Sequence, residues 1–392
     1  MRVQVAIIGA GPAGMLLGHL LTRAGVEVVV LERRTRDYVE GRVRAGVLEQ
    51  ATVDLLVELG LADRLNSVGL RHEGVQLIFD GAHLRIDIAA LTGGRAVTVY
   101  GQQEVMHDLF EAAGARGLAV NFGCEDIRIE DLDGPSARVS WRGDGGEQSL
   151  ACDFIAGCDG QHGVCRASLP ERALCTFERS YPFGWLGLLA EAPPVSDELI
   201  YCSHEHGFAL ASMRSATRSR YYLQVPANAA VEDWSDARFW EELSVRLGDD
   251  LAGRLARAPS FEKSMAPLRS SVCEPMRVGR LFLAGDAAHI VPPTGAKGLN
   301  LAAADVRVLA KALEEHFTGS GSSGLDSYSA TALRRVWRAE RFSWWFTAMM
   351  HRFPQADAFE RKLQAAEFEQ FAGSQAAQTL FAENYVGSPV QL

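Results

Sequence analysis

The spacing of hydrophobic residues changes several times along the chain. Residues 3–31 hold two short apolar runs rich in β-branched side chains, separated by a stretch with apolar residues at helical spacing. This succession predicts a buried strand, a helix and a second buried strand. Alternating apolar and polar residues over 185–224 predict antiparallel strands, whereas helical spacing dominates 298–381. The pattern therefore predicts an α/β fold that a second sheet interrupts and that helices complete.

These changes of spacing also divide the chain. We expect a Rossmann-like βαβ domain with a mainly parallel sheet, a mostly antiparallel β-sheet domain and a helical C-terminal region. The Rossmann-like domain is assigned to residues 1–73, 98–180 and 269–300. The antiparallel domain is assigned to residues 74–97 and 181–268, and the helical region to residues 301–392.

A glycine-rich turn joins the first predicted strand to the first helix. Its G-x-G-x-x-G spacing, from Gly9 to Gly14, is typical of dinucleotide sites. Gly9 permits the tight turn, Gly11 lets a pyrophosphate approach the backbone, and Gly14 lets helix and strand pack closely. Glu32 ends the second strand and can accept hydrogen bonds from a ribose. The succession predicts a dinucleotide site; the alternative is a glycine-rich turn in another kind of α/β unit.

Composition narrows the classes of function. Of the 392 residues, 47% are hydrophobic and 22% are charged, as in an ordinary globular protein. A net charge of −10 argues against nucleic acid as a partner. No apolar run reaches the roughly 18 residues of a membrane helix, and the first strand leaves no room for a signal peptide. Seven cysteines without a C-x-x-C pair indicate reduced thiols, so we expect a cytoplasmic protein with no membrane partner.

Two more motifs follow predicted strands. They are Cys158-Asp159-Gly160 and Gly285-Asp286-Ala287-Ala288-His289, the latter followed by Pro292-Pro293-Thr294-Gly295-Ala296-Lys297-Gly298-Leu299-Asn300. Together with the opening turn, and in this order, they resemble the single-component flavoprotein hydroxylases, which bind FAD. The resemblance implies that the Rossmann-like domain binds FAD and that the antiparallel sheet binds substrate. It implies FAD contacts from Gly9, Gly11, Gly14, Glu32, Arg42, Arg44, Gln102, Asp159, Asp286, Lys297, Leu299 and Asn300.

Positive charge is expected around the flavin. The helix predicted from Gly298 points its positive end at Lys297 to Asn300, and reduced flavin carries negative charge. Lys297, Arg44 and Arg220 would add positive potential in an otherwise acidic protein. The alternative is a well-capped helix without a ligand.

The reductant is expected to bind transiently, because only one dinucleotide fingerprint is present. The resemblance implies NAD(P)H contacts from Arg33, Tyr38, His162, Arg166 and Arg269. Arginines at 33, 34 and 36 directly follow Glu32, and a 2′-phosphate attracts arginine. We therefore expect NADPH to be preferred over NADH, although arginine-rich loops are often merely solvated.

Four further segments resemble, within this family, the hydroxylases of 4-hydroxybenzoate. They span residues 42–50, 181–187, 212–222 and 382–387. The resemblance implies hydroxylation of 4-hydroxybenzoate to 3,4-dihydroxybenzoate with NAD(P)H and O2, through a flavin C4a-hydroperoxide, in a homodimer.

The resemblance also implies a clamp for the substrate carboxylate. Its residues are Ser212, Arg214, Tyr222 and Arg220. Arginine offers a planar fork to a carboxylate, and hydroxyl groups can donate further hydrogen bonds. A hairpin centred on Thr217 would pair Arg214 with Arg220 and Ser212 with Tyr222, on one face. A two-residue loop at 216–217 would place them on different faces. The alternative to a substrate clamp is a basic strand that faces solvent.

The opposite end of the substrate is assigned by resemblance to Tyr201 and Tyr385, which bind and deprotonate the phenol. A tyrosine pKa of about 10 suits proton exchange with a phenol. His72 is implied as the outlet of this proton chain, and the carbonyl of Pro293 as a further contact. Taken alone, His72 between Arg71 and Glu73 would be expected on the surface.

Two features are set aside. His204-Glu205-His206 has the spacing of a two-histidine site on a strand, but no third ligand is evident, so we expect no metal. Residues 337–350 are rich in tryptophan, phenylalanine and methionine; we expect them in the core or at a dimer interface rather than at a membrane. Two rival functions remain: a sister hydroxylase of another phenol or of a membrane quinone precursor, and a non-enzymatic carrier with the same fold.

Overall fold

The computed structural model describes residues 2–42 and 46–390. Its strands, in chain order, are β1 (Arg2–Ile8), β2 (Val28–Leu31), β3 (Val47–Leu48), β4 (Leu70–His72), β5 (Gly74–Phe79), β6 (Ala82–Asp87), β7 (Val97–Val99), β8 (Ala119–Asn121), β9 (Glu125–Glu130), β10 (Ala137–Gly143), β11 (Gly146–Gly157), β12 (Cys175–Ala190), β13 (Ile200–His204), β14 (Gly207–Ser215), β15 (Arg218–Pro226), β16 (Ser260–Glu274), β17 (Arg277–Val278), β18 (Leu281–Leu283) and β19 (His289–Ile290).

The helices are α1 (Pro12–Arg23), α2 (Arg36–Glu40), α3 (Gln50–Glu58), α4 (Asp63–Val68), α5 (Ile88–Leu91), α6 (Gln102–Ala115), α7 (Val164–Ala167), α8 (Asp236–Leu247), α9 (Asp249–Arg254), α10 (Gly298–Phe317), α11 (Ser323–Met350), α12 (Ala358–Gly373) and α13 (Gln375–Tyr385). None of these described helices combines the length and the apolar composition that a membrane span needs.

The first sheet has a parallel centre. Its order is β17-β18-β11-β1-β2-β8, with β10 and β9 added beyond β11. The strands β18, β11, β1, β2 and β8 run parallel to one another. Apolar side chains of β1, α1, α6 and α10 form one core against this sheet. The expected α/β unit with a mainly parallel sheet is confirmed.

The second sheet is mostly antiparallel and has the order β19-β16-β12-β15-β14-β13-β5-β6. One of its faces packs against α11, α12 and α13, and the other packs against α8 and α9. The long strands β12 and β16 pair with each other across both boundaries that the sequence suggested, 180/181 and 268/269. These two strands therefore connect the antiparallel sheet rigidly to the rest of the fold.

The tryptophan-rich stretch of α11 divides between core and surface. Phe342, Phe346 and Met349 are fully buried beneath the antiparallel sheet, as expected. Trp337 and Trp344 remain 41% and 42% exposed. The helix is thus amphipathic, with its apolar side turned to the protein.

Candidate functional site

The glycine-rich turn between β1 and α1 has the geometry of a phosphate cradle. Gly9 has a φ of +100°, and a Cβ there would lie 2.4 Å from the carbonyl oxygen of Cys158. A Cβ on Gly14 would lie 1.9 Å from the carbonyl oxygen of Gly9. A Cβ on Gly11 would meet nothing within 4 Å, and Gly11 is the N-cap residue of α1. The helix end is therefore open to an anion.

Glu32 lies against this turn. Its carboxylate is buried and accepts hydrogen bonds from the backbone N–H groups of Ala10 and Arg34, both at 2.8 Å. The carboxylate thus ties the end of β2 to the cradle. A carboxylate has further lone pairs, so these contacts leave room for a ribose hydroxyl.

The two aspartate motifs lie at the same edge of the sheet. Asp159 follows β11 and Asp286 follows β18, and both strands are parallel to β1. The side chain of Asp159 accepts a hydrogen bond of 2.8 Å from the N–H of Cys165, and burial raises the pKa of its carboxyl. Asp286 is exposed. The fold therefore gathers all three motifs at the carboxyl ends of adjacent parallel strands, where α/β proteins bind nucleotides.

Asn300 and Lys297 are engaged within the protein. The Asn300 amide exchanges hydrogen bonds with Val47, Glu49, Thr52 and Ala296 at 2.8–2.9 Å. The Lys297 ammonium is buried, lies 2.6 Å from the Glu49 carboxylate and donates to the carbonyls of Asn384 and Tyr385. Burial lowers the pKa of Lys297, against the opposite effect of Glu49. Glu49 thus offsets much of the positive charge that the sequence led us to expect from Lys297.

Three of the remaining FAD candidates are less buried. Gln102 is half-buried at the first position of α6, Leu299 is half-buried in α10, and Arg42 is exposed near the Tyr38 ring. Arg44 lies outside the described residues.

The NAD(P)H candidates occupy two regions. Arg33 and Tyr38 are exposed beyond β2. His162 is exposed before α7, and the Arg166 guanidinium donates to the carbonyl of Gln161 and lies 3.4 Å from the thiol of Cys273. Arg269 stands on β16, four positions before Cys273.

The hairpin of β14 and β15 differs from the expected register. It closes with a two-residue turn at 216–217, so a centre at Thr217 is wrong, and Ser212 pairs with Arg220 rather than with Tyr222. A two-residue turn alone would have split the four clamp residues. A bulge between Met213 and Ser215 moves the register by one residue and restores a shared face for Ser212, Arg220 and Tyr222.

Within the clamp set, the Arg220 guanidinium is buried and has N–H groups that lack an acceptor among the described residues. Ser212 donates to the carbonyl of Arg220 at 2.7 Å. Arg220 is 6% exposed and lies 3.6 Å from Glu262, but its Nε and Nη1 have no acceptor among the described residues. Burial lowers the pKa of Arg214, while Tyr222 acts in the opposite direction. A buried guanidinium such as that of Arg220, with N–H donors that lack an acceptor among the described residues, favours an anionic ligand.

Tyr201 on β13 and Tyr385 on α13 meet beside this hairpin. Their hydroxyl oxygens are 2.9 Å apart and both side chains are almost fully buried. Burial raises the pKa of both phenols, and Tyr222 is close enough to Tyr201 to add to that shift. The structure therefore brings together two neutral hydroxyls that can pass a proton between them.

His72 and Pro293 complete the candidate set. A surface position for His72 is wrong: the ring is 2% exposed, burial lowers its pKa, and neither nitrogen has a partner among the described residues. It lies on β4, an edge strand of the small sheet β3-β7-β4. The carbonyl of Pro293 accepts one hydrogen bond from Ala296 at 2.9 Å and keeps a second lone pair.

The sequence analysis missed two buried partners. Glu49 pairs with Lys297 across 248 positions and also contacts Arg335 at 3.2 Å. His351 accepts a hydrogen bond of 2.7 Å from the Trp185 indole. No local sequence pattern predicts such pairs. The available signal is a charged residue next to an otherwise apolar element.

Among the described residues, no group of histidine, cysteine, aspartate or glutamate side chains could hold a metal ion. His204 and His206 lie about the tight turn between β13 and β14, where His206 faces Glu242 at 3.3 Å.

Comparison with known proteins now identifies the family. A family model described as an FAD binding domain matches residues 2–343. The chain belongs to this family. A p-hydroxybenzoate hydroxylase from Acinetobacter baylyi is 55% identical over 392 residues, covering 100% of this chain and 97% of that one. The resemblance found in the sequence is thereby confirmed.

Less similar proteins are found by sequence and by structure. A rifampicin monooxygenase from Streptomyces venezuelae is 28% identical over 343 residues, which cover 83% of this chain and 67% of that one. The crystal structure of p-nitrophenol 4-monooxygenase from Pseudomonas putida superposes with a TM-score of 0.82 at 21% identity, covering 99% and 100% of the two chains. The likeness to this solved structure shows the architecture of the family and nothing more specific.

Proposed function

We infer that the protein is an FAD-dependent monooxygenase that hydroxylates 4-hydroxybenzoate to 3,4-dihydroxybenzoate with NAD(P)H and O2. The observation that carries this inference is the hydrogen-bonded pair Tyr201–Tyr385 beside a hairpin that presents buried arginine. The two groups suit the two ends of a 4-hydroxybenzoate, its phenol and its carboxylate. The p-hydroxybenzoate hydroxylase that is 55% identical over the whole chain supports the same substrate.

The cradle residues fit FAD. Gly11 leaves open space where phosphates approach, and the exposed carboxylate of Asp286 lies one strand beyond Asp159 at the same edge. We propose that the adenosine and pyrophosphate of FAD are held by Gly9, Gly11, Gly14 and Glu32. Asp159 and Asp286 would hold the rest of the FAD molecule. When bound, FAD supplies the redox chemistry, taking hydride from NAD(P)H and activating O2.

The hairpin is proposed to orient the substrate. Arg214 would hold the carboxylate in a bidentate contact, with Ser212 and Tyr222 donating further hydrogen bonds. Arg220 has two free N–H donors and would add positive potential on the same face of the sheet. Because an aromatic ring is rigid, the distance from Arg214 to Tyr201 acts as a ruler for a para-substituted acid.

Tyr201 and Tyr385 are proposed to withdraw the phenol proton. A phenolate is a far better target for electrophilic oxygen than a phenol, and a short hydroxyl chain can carry the proton away. His72 would pass it on, because its ring is neutral and both nitrogens are without partners in the described part of the chain. A hydroxylase of another phenol, or a carrier without activity, would have no use for both the clamp and the tyrosine pair.

We further propose a cytoplasmic homodimer. Free thiols at all seven cysteines agree with a reducing compartment. Exposed Trp337 stacks edge-on against Phe177, itself 47% exposed, and such an aromatic patch suits an interface. Sedimentation of the purified protein at several concentrations tests this assembly.

The substrate assignment is tested by titration of the purified protein. We expect bound FAD, visible from its absorbance, and a perturbation of that absorbance on addition of 4-hydroxybenzoate. Phenol and benzoate each offer one of the two ends and should bind more weakly. Equal affinity for 4-hydroxybenzoate, phenol and benzoate would contradict a site that binds both the hydroxyl and the carboxylate of the substrate.

Replacing Arg33 with glutamate is expected to reduce the NADPH/NADH ratio of kcat/KM by about tenfold. A hydrogen bond to a charged group contributes about 1.5–3 kcal/mol, and an exposed position keeps only the lower part of that range. Steady-state kinetics with both reductants measures the ratio. Lys362→Glu makes the same charge change on exposed α12 and should leave the ratio alone. An unchanged ratio in Arg33→Glu would remove Arg33 from the phosphate site.

A further inference from the structure

A cavity lies between α10, α11 and the chain that follows α13, and no residue of the hairpin lines it. Its volume is about 330 Å³. Leu301, Val308 and Phe342 give it apolar walls, and Arg334, Arg335 and Arg338 line it from α11. A small organic ligand needs a site of about this size, with mostly apolar walls and a few polar groups.

The cavity carries surplus positive charge. Both of its carboxylates have partners: Glu49 lies 2.6 Å from Lys297 and 3.2 Å from Arg335, and Asp305 lies 2.6 Å from the His289 ring. In contrast, Arg334 and Arg338 have no acceptor or ion-pair partner within residues 2–42 and 46–390. They stand four positions apart, so both guanidinium groups lie on one side of α11.

We propose that this cavity is a second binding site, for an aromatic monocarboxylate. Two neighbouring guanidinium groups offer forked donors to a carboxylate, and the apolar walls with Phe342 accept a ring. The choice of 4-hydroxybenzoate as a test ligand rests on the proposed function. The site itself is separate from the clamp, because none of the residues that line the cavity belongs to the β14–β15 hairpin.

The site borders the proposed proton chain. Lys297 lines the cavity, and its ammonium donates to the carbonyl of Tyr385, whose hydroxyl meets Tyr201. A bound carboxylate would compete with Glu49 for Arg335 and change the field at Lys297. Binding of a ligand in the cavity would therefore change the electrostatic field at the C-terminal end of α13.

Equilibrium dialysis of the FAD-loaded enzyme with 4-hydroxybenzoate, without reductant, tests the proposal. We expect two ligands per chain in the wild type and one in Arg334→Gln/Arg338→Gln, with the second Kd raised at least about tenfold for the loss of two charged contacts. The control Arg341→Gln/Lys362→Gln removes the same charge from exposed positions that do not line the cavity and should keep two. Exposed side chains without partners are not expected to be needed for folding.

Two further arms separate the possible failures. Arg214→Met should lose the first site and keep the second; absence of any Arg214-dependent site would count against the proposed function alone. A single site in the wild type, or a second site unaffected by Arg334→Gln/Arg338→Gln, would overturn the second site. Displacement of the second ligand by equimolar inorganic phosphate would overturn its aromatic class.

Discussion

Arg214→Met is expected to weaken binding of 4-hydroxybenzoate by about one and a half to three and a half orders of magnitude. Removing one partner of a buried charge pair costs roughly 2–5 kcal/mol, at about 1.4 kcal/mol per decade of affinity. The carboxylate would remain in a partly buried site from which one of its two proposed guanidinium neighbours has been removed. Flavin absorbance during titration measures the change.

Phenol provides the control ligand, because it lacks the carboxylate and should lose far less affinity. Arg218→Met provides the control variant: Arg218 stands on the same hairpin, 43% exposed, and pairs with Glu191 at the surface. Equal losses for phenol and for 4-hydroxybenzoate would mean that Arg214 supports the fold or the flavin rather than the substrate.

Tyr385→Phe is expected to bind 4-hydroxybenzoate nearly as well as the wild type and to waste most of its NADPH. The ring packs against Phe381 and stays buried, so the apolar contacts survive, but the 2.9 Å hydrogen bond to Tyr201 is lost. The phenol would then be less ionised when oxygen is available, and O2 would leave as hydrogen peroxide. Raising the pH toward the phenol's own pKa should recover part of the product yield, because the substrate then ionises without help.

Product and hydrogen peroxide formed per NADPH measure this coupling. Tyr328→Phe removes the same atom from another buried tyrosine, which donates to the carbonyl of Leu283 in the nucleotide-binding half. It should alter stability without altering the yield per NADPH. An undiminished yield in Tyr385→Phe would take Tyr385 out of the proton chain.

Local pattern was enough to predict the nucleotide-binding half. The β1–α1–β2 unit is continuous in sequence. Glycine is required at positions 9 and 14 because a Cβ there would clash with the backbone of Cys158 and of Gly9, respectively. The two aspartate motifs could be placed at one edge because parallel strands end together. These parts follow from periodicity and from a small number of obligatory residues.

The substrate half was harder to predict, because its geometry depends on a single irregularity. The bulge at Arg214 changes which residues of β14 and β15 oppose each other, and no residue preference announces it. Burial of His72 and the pairing of Lys297 with Glu49 depend on segments far apart in the chain. Tertiary contacts of this kind decide charge and exposure, and the sequence does not display them locally.

The central claim is tested most directly by NADPH oxidation with and without 4-hydroxybenzoate, with the product identified by chromatography. We predict slow oxidation without the aromatic acid, much faster oxidation with it, and one 3,4-dihydroxybenzoate formed for each NADPH consumed. The assignment would be contradicted if the rate of NADPH oxidation did not depend on 4-hydroxybenzoate. It would also be contradicted if the acid were recovered unchanged and hydrogen peroxide were the only product.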